Sequence, residues 1–591
     1  MFCFALAGCN DLFEPANENI RDKETIYDEP GFAEGLLSNG YLRLPYEDFT
    51  YSFNDVATDD AVSNDPGNNY FKMATGQWRA DNNPMDVWTR NYNAILYLNL
   101  IIAEADKVHW AEDEQVAKLF NMRIKGEAYG LRAIFTYFLL QSHAGWYNGQ
   151  LLGVPVITDP VEKISDFDLP RADFKTCIEA IYNDLAIADS YLPMDYNELD
   201  MNTGIIPEKY IREGVTEVSK YNRVLGERFR GRMTARIVKS FRAKTALLAA
   251  SQAFLDGADN TWATTAGYAA EVLNDNGGIA GLADKGWTWY TNNDEMTALQ
   301  SGSNPPEIIW RGRAHQHSDI GSTMERTNYP PTLYGNGRLN PTQNLVDAFP
   351  MKNGYPISDT GNSGYEPTSP YSDRDPRLTA YIVVNGSTVG AANTVINVTS
   401  GNDAVGITST STITGYYMRK LLNQRTNLNP STPATQMIYV SRIRYTELFL
   451  IYAEAANEAY GPDGAAPGTS YSARDIIKAI RQRAGVGGSD DPYLASISSK
   501  EEMREMVRNE RRLELCFEGH RFWDLRRWKV SLEKLNEPIR GIKGPEGQFD
   551  FSGPYIIGGQ NRLYRNYMFY GPIPYGETLK WSNLFQNTGW Q

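Results

Sequence analysis

His315, His317 and Asp319 stand at alternate positions, so an extended strand would turn all three side chains to one side, a partial ligand set for a metal. No fourth ligand elsewhere in the chain completes it, and polar loop donors are the plainer reading. Glu510 and Glu514 could be taken for the paired carboxylates of a glycosidase. They sit in an arginine-rich run, where structural ion networks are the commoner setting for such residues. The oxygen-rich loops Asn292-Asn293-Asp294 and Gly488-Ser489-Asp490-Asp491 suit calcium in composition, yet neither has the ligand spacing of an EF-hand. The chain has five histidines and no G-x-S-x-G, G-x-x-x-x-G-K or H-E-x-x-H motif. No catalytic residue, metal ligand or cofactor is assigned, and the expectation is a binder, not an enzyme.

Binding chemistry is better represented. Sugars are held by aromatic faces against ring C–H groups, with carboxylates, amides and guanidinium groups taking the hydroxyls. Two stretches have that composition. One is Asp59, Asp60, Asn64, Asp65, Tyr70, Trp78 and Arg79. The other is Trp287, Trp289, Tyr290 and Asn292, continued by Trp310, Arg311, Arg313 and His315. Trp287 and Trp289, flanked by Gly286 and Asn292, are the foremost candidates for a stacking platform, although any single aromatic can equally be core.

The elements that must position these residues are mostly helices. Apolar periodicity predicts them near 87–107, 113–142, 173–191, 233–255, 266–274, 444–460, 473–484 and 500–527. Between 277 and 436 the texture turns to Gly, Asn, Thr, Ser and Pro with short β-prone pieces at 378–384 and 416–422. These read as loops and small hairpins laid over a helical frame, with an exposed hairpin in 385–414. The helix from 500 is the most constrained. Ser499 and Glu502 form a capping box. Behind it Arg504, Arg508 and Arg512 stack at four-residue spacing, as do Glu510, Glu514 and Glu518. Like charges so spaced destabilise an isolated helix, so counter-charges must come from other segments. Trp523 and Trp528 belong to this clamp and should be core. Cys177 and Cys516 read as buried free thiols, and His143 and His520 as structural histidines.

This run, Asn509 to Trp528, resembles the signature of the SusD/RagB family of outer-membrane nutrient-binding lipoproteins. Arg444–Ala455, Ile480–Val486, Tyr570–Pro574 and Asn583–Trp590 are similar to other family segments, in the family's order. So are Gly126–Ala133, Gly153–Pro155 and Asp375–Arg377. The resemblance spans nearly the whole chain. It implies a mostly α fold, a tetratricopeptide-like helical scaffold with a loop-rich region carrying short β-hairpins. It further implies a ligand face built from loops, and capture of a glycan for a SusC-like TonB-dependent transporter. Some relatives take oligopeptides instead, and a structural lid with little affinity of its own is a further alternative.

Phe2–Cys9 ends in Leu-Ala-Gly-Cys and resembles a lipobox, although no basic residues precede it. On that reading 1–8 is a signal-peptide remnant, Cys9 carries the lipid, 9–30 is a tether, and the protein is anchored at the outer-membrane cell surface. Residues 31–591 form one body, with helical frame at 31–275 and 440–530, ligand face at 277–436 and a C-terminal tail at 531–591. With 591 residues, 42% of them hydrophobic, the chain can bury a large core. Its net charge of −15 argues against nucleic acid as a partner.

Overall fold

The computed structural model describes residues 25–45 and 51–591; the lipobox-like stretch and Cys9 lie outside them. About 46% of the chain is helical. The longer helices are α1 (Pro30–Leu42), α2 (Trp88–Glu104), α3 (Glu114–His143), α4 (Phe174–Tyr191), α5 (Ala235–Ala250), α6 (Trp262–Asn274), α7 (Tyr445–Tyr460), α8 (Ala473–Arg483) and α9 (Lys500–Glu514). Asp113, Asp173 and Thr234 start α3, α4 and α5 by accepting backbone N–H groups that the first turn leaves unpaired. Sequence neighbours pack together, α1 on α2, α2 on α3, α3 on α4, α5 on α6, and α6 reaches forward to α7. This is the paired-helix layout of a tetratricopeptide-like scaffold, and it encloses the larger apolar core.

The Gly126–Ala133 motif is a junction of three helices. At Gly126 an added Cβ would come within 2.8 Å of Leu192, so only glycine allows the approach. Arg132 forks onto both oxygens of Asp184 on α4, at 2.7 Å each, and reaches Asn99 on α2 at 2.8 Å.

Among the described residues every sheet is two-stranded. The ladders used below are β1 (Ala61–Ser63), β2 (Ile308–Arg311), β3 (His315–Gln316), β4 (Leu339–Pro341), β5 (Met437–Ile438) and β6 (Ser441–Arg444). β1 pairs antiparallel with β4, Ala61 opposite Pro341. β2 pairs with β6 and β3 with β5, making one interrupted ribbon joined by the Gly312 N–H on the Val440 carbonyl. The loop-rich half is more than a covering. It has an apolar core of its own, with Leu345, Phe349, Tyr381, Ile382, Tyr416 and Tyr417 fully enclosed. The two β-prone pieces pair, Ile382–Val383 with Tyr417–Met418. Within 385–414 only Thr388–Val389 and Thr394–Val395 form a hairpin. Ser411, Thr412 and Thr414 are buried, because their hydroxyls satisfy backbone groups of the turn into that core.

The charged run is a clamp, as the like-charge ladders require. Ser499 and Glu502 exchange the bonds of a capping box. Glu510 and Glu514 both meet Arg377, which also forks onto Asp375. Glu514 binds Arg483 at 2.7 Å, and Glu518 binds Arg444 at 2.8 Å and Lys420 at 2.7 Å. Burial would raise the Glu514 carboxyl, yet Arg483, Arg444, Arg377 and Lys420 hold it down at about 2.

The expected single helix at 500–527 is in fact two, α9 and α10 (Arg521–Arg527). Phe517 (φ 64°) and Gly519 (φ 80°) turn the chain between them. The break is stabilised from afar: the Lys420 ammonium donates to the Glu514 and Cys516 carbonyls, and Arg444 to that of Glu514, at 2.8–2.9 Å. Trp528 is buried with its indole N–H on Glu454. Trp523, expected in the core, is only half-buried and lines a small cavity beside His520. Cys177 and Cys516 are free and buried, which pushes their thiols up to about 11 and about 12.

Candidate ligand-binding groove

The two aromatic and acidic clusters separate in the fold. Asp59 and Asp60 are buried beneath the clamp. Asp59 meets Arg512, Arg521 and Lys534 within 3.0 Å, and Asp60 meets Arg512 at 2.7 Å. Burial raises Asp59, but those three cations hold its carboxyl well below the usual range. Neither acid can meet a ligand, because a carboxylate this enclosed must be paired with internal cations. Trp78 is 3% exposed, wedged edge-on against Phe522, Tyr564 and Trp590 under the Arg526 guanidinium. All three belong to the core.

In the second cluster Trp289 is 2% exposed and Tyr290 is 7% exposed. Trp287 is half-buried against Tyr381, whose hydroxyl donates to its carbonyl. Trp289 and Tyr290 offer no open face and Trp287 leans on Tyr381, so the expected platform serves mainly as an internal prop. Trp289 lies 5.3 Å over Tyr439, and on Tyr439 rests the Arg311 guanidinium, 5.4 Å from the ring centre. His315 is half-buried, edge-on to His317 at 5.0 Å. Among the described residues no three His, Cys, Asp or Glu side chains converge as a metal set. Asp491, in one oxygen-rich loop, is already spent on Arg481 and on capping the next turn.

The prop points to an open groove. Its floor is β2 and the residues beyond it, one wall is the 230–234 loop leading into α5, and the other is the 296–304 segment. Two adjoining hollows of about 540 and about 420 Å³ share Arg230, Gly231, Arg232 and Gln300. The Trp310 indole donates to the Gly231 carbonyl at 3.1 Å and pins wall to floor. Gly302 (φ 73°) lies against Arg230, where a Cβ would come within 2.6 Å. Arg311 and Arg313 fall two residues apart on extended chain, and both face the groove.

The guanidinium groups differ in their partners. Arg232 meets Glu34 at 3.0 Å and Glu127 at 3.5 Å. Arg230 meets Glu227 at 3.1 Å and bonds Gln300 and Asn197. Arg311, 8% exposed, has only the carbonyls of Ser303 and Gly312, and burial lowers its pKa. Arg313 is exposed and, among the described residues, makes no ion pair or hydrogen bond. Asp195, the one acid at the groove's edge, is taken by Arg236 at 2.6 Å. Of the expected residues, Arg311 and Arg313 line the first hollow and Trp310 the second, and of these only Arg313 is exposed. Arg230, Arg232 and Gln300 were missed, although Arg230-Gly231-Arg232 and Arg311-Gly312-Arg313 are a visible repeated tripeptide.

A paired-helix scaffold joined to a loop-rich half, with an open polar groove where the two meet, is the architecture of this chain. A family model described as the SusD family matches residues 306–590, and one described as starch-binding associating with outer membrane matches 36–204. A SusD-like protein of Formosa agariphila is 22% identical across 77% of this chain and 74% of its own length. A SusD-like protein of Bacteroides fragilis is similar in structure, with a TM-score of 0.72 and 22% identity, covering 98% of this chain and all of that one. A SusD-like carbohydrate binding protein from the same organism has a TM-score of 0.68 and 21% identity, covering 95% and 100%. The chain belongs to the SusD family.

Proposed function

We propose that this protein is a glycan-capturing lipoprotein of the outer-membrane surface that hands its ligand to a SusC-like TonB-dependent transporter. The observation that carries the reading is the groove at Arg230, Gln300, Arg311 and Arg313, which gathers fixed hydrogen-bond donors at an open surface on a rigid frame. Capture is reversible and makes or breaks no bond. Donors held by Trp289, Tyr439 and Trp310 are pre-organised, so little ordering cost is charged against binding. The carbohydrate-binding Bacteroides structure supports the ligand class, and the family description that names the outer membrane supports the location. Among the described residues no helix is long and apolar enough to cross a membrane, and attachment is assigned to Cys9.

Calorimetric titration of the form starting at Asn10 against oligosaccharides and peptides tests this. Expected is a glycan isotherm in the millimolar-to-micromolar range, about −4 to −8 kcal/mol, with no product formed. A peptide isotherm, or silence throughout, refutes capture of glycan. Labelled palmitate entering the wild type but not Cys9→Ala tests the anchor.

A further inference from the structure

The chain carries a net charge of −15, yet the groove inverts that sign. Two Arg-Gly-Arg tripeptides, 230–232 on the wall and 311–313 on the floor, meet there. Glu227 offsets Arg230, while Glu34 and Glu127 offset Arg232; among the described residues no carboxylate pairs with Arg311 or Arg313. Arg311 is the more telling of the two. A buried guanidinium normally has a counter-ion, because desolvating an unpaired charge is costly. Arg311 has two backbone carbonyls and an aromatic face instead: its Nε and Nη2 donate to the Ser303 carbonyl and its Nη1 to that of Gly312, and the residue lines the open hollow. Arg313 continues the row at the rim, with no internal role. A guanidinium fork is matched in shape by a planar carboxylate or a sulfate ester. Among the described residues that line the groove no aromatic offers a broad open face: Trp310 and Tyr196 are buried, and Tyr41 is half-buried with its hydroxyl on Glu127. Charge, more than stacking, is what the groove has to offer.

We propose that the groove selects anionic glycans, chains bearing uronate carboxylates or sulfate esters, through Arg311 and Arg313. The proposal rests on the glycan-capture reading and narrows it to a charge class. An acidic peptide offers the same charge without the sugar and is the principal competing occupant.

The test uses matched pairs: oligogalacturonates against their methyl esters, and sulfated galactan oligosaccharides against the same chains desulfated, with oligoglutamate as the peptide arm. Titrations are run on the form starting at Asn10 at low and moderate salt. At least one anionic sugar should bind ten times or more tighter than its neutralised partner, and weaken severalfold as screening increases. Arg313→Gln should cost about three- to tenfold, as for an exposed charge, and Arg311→Gln more than tenfold. Because Arg311 is buried and its variant can misfold, Arg313→Gln is the deciding variant, since its side chain holds nothing else. The uronate and sulfate pairs tell the two anions apart. Equal binding of charged and neutral sugars overturns the charge selection and leaves glycan capture standing. Binding of oligoglutamate alone, or of nothing, overturns both. Anionic binding unchanged by Arg313→Gln and Arg311→Gln places the ligand elsewhere and overturns the assignment to this groove.

Discussion

Arg377→Met is the sharpest test of the clamp. The guanidinium lies 2.7 Å from Asp375, 2.5 Å from Glu510 and 3.0 Å from Glu514, and all four side chains are essentially sealed from water. Methionine keeps much of the volume and removes the charge. Glu514 retains Arg483 at 2.7 Å, but Glu510 is left with Arg481 at 3.9 Å, and its second oxygen has no hydrogen-bond partner to begin with. Breaking a buried pair from one side costs about 3–5 kcal/mol, a large part of the roughly 5–15 kcal/mol that folded proteins have in hand. The stranded carboxylate can escape by taking a proton, which costs about 1 kcal/mol at pH 5 and about 5 kcal/mol at pH 8, at 1.36 kcal/mol per unit above its ordinary pKa. Burial already holds the Glu510 carboxyl above its ordinary value beside Arg377, and losing that cation raises it further, so the stabilisation that comes with the protonated form is complete below about pH 4 and is lost as pH rises. The variant should therefore lose about 4 kcal/mol at pH 8 and about 1 kcal/mol at pH 5. Urea unfolding at both pH values, with the wild type alongside, reads this directly. A loss at pH 8 under about 1 kcal/mol, or the same loss at both pH values, would refute the view that Arg377 neutralises buried carboxylates.

Three further outcomes follow from the same geometry. Burial, with the neighbouring Asp60 charge, raises the Asp55 carboxyl to about 7. Its protonated form stabilises the fold below about pH 4, and that contribution fades as pH climbs to 7; Asp55→Asn should therefore gain about 2–4 kcal/mol over wild type at pH 8 and nothing at pH 4, by urea titration. Trp289→Ala should cost about 3–5 kcal/mol of stability, as enclosed aromatics do. It should also weaken glycan binding through the loss of support for Tyr439 and Arg311, whereas Trp287→Ala should lower the melting temperature less. Ser499→Ala removes one half of the capping box and should lower stability by about 1 kcal/mol.

The scaffold was readable because its signals are local. Caps, apolar stripes and the small residues of α3 act within a few positions, and the charge ladders of α9 announce their own need for partners. The break after Glu514 was not readable, since the groups that hold it, Lys420 and Arg444, come from distant chain. The same applies to Asp59 and Asp60: acids in a polar stretch look like ligand donors until Arg512, Arg521 and Lys534 are folded against them. Tryptophan content suggested a stacking platform that the fold turns inward, because composition does not say which side of an aromatic is covered. The paired Arg-Gly-Arg tripeptides were in plain view, but only tertiary structure sets them across one groove.

The clamp also sets an order of events in time. Its members come from stretches around Glu307, Arg377, Lys420, Arg444, Arg483 and Glu510–Glu518. The helix pairs of the first half make contacts close in sequence and can form as soon as they emerge. The loop-rich half cannot shut until α9 arrives, because until then its cations stay in water. Closing the clamp thus dries charges from six stretches of chain together and needs α9 to do so. A chain stopped short of Glu510 would leave Arg377, Arg444 and Lys420 without the Glu514 and Glu518 carboxylates that face them here.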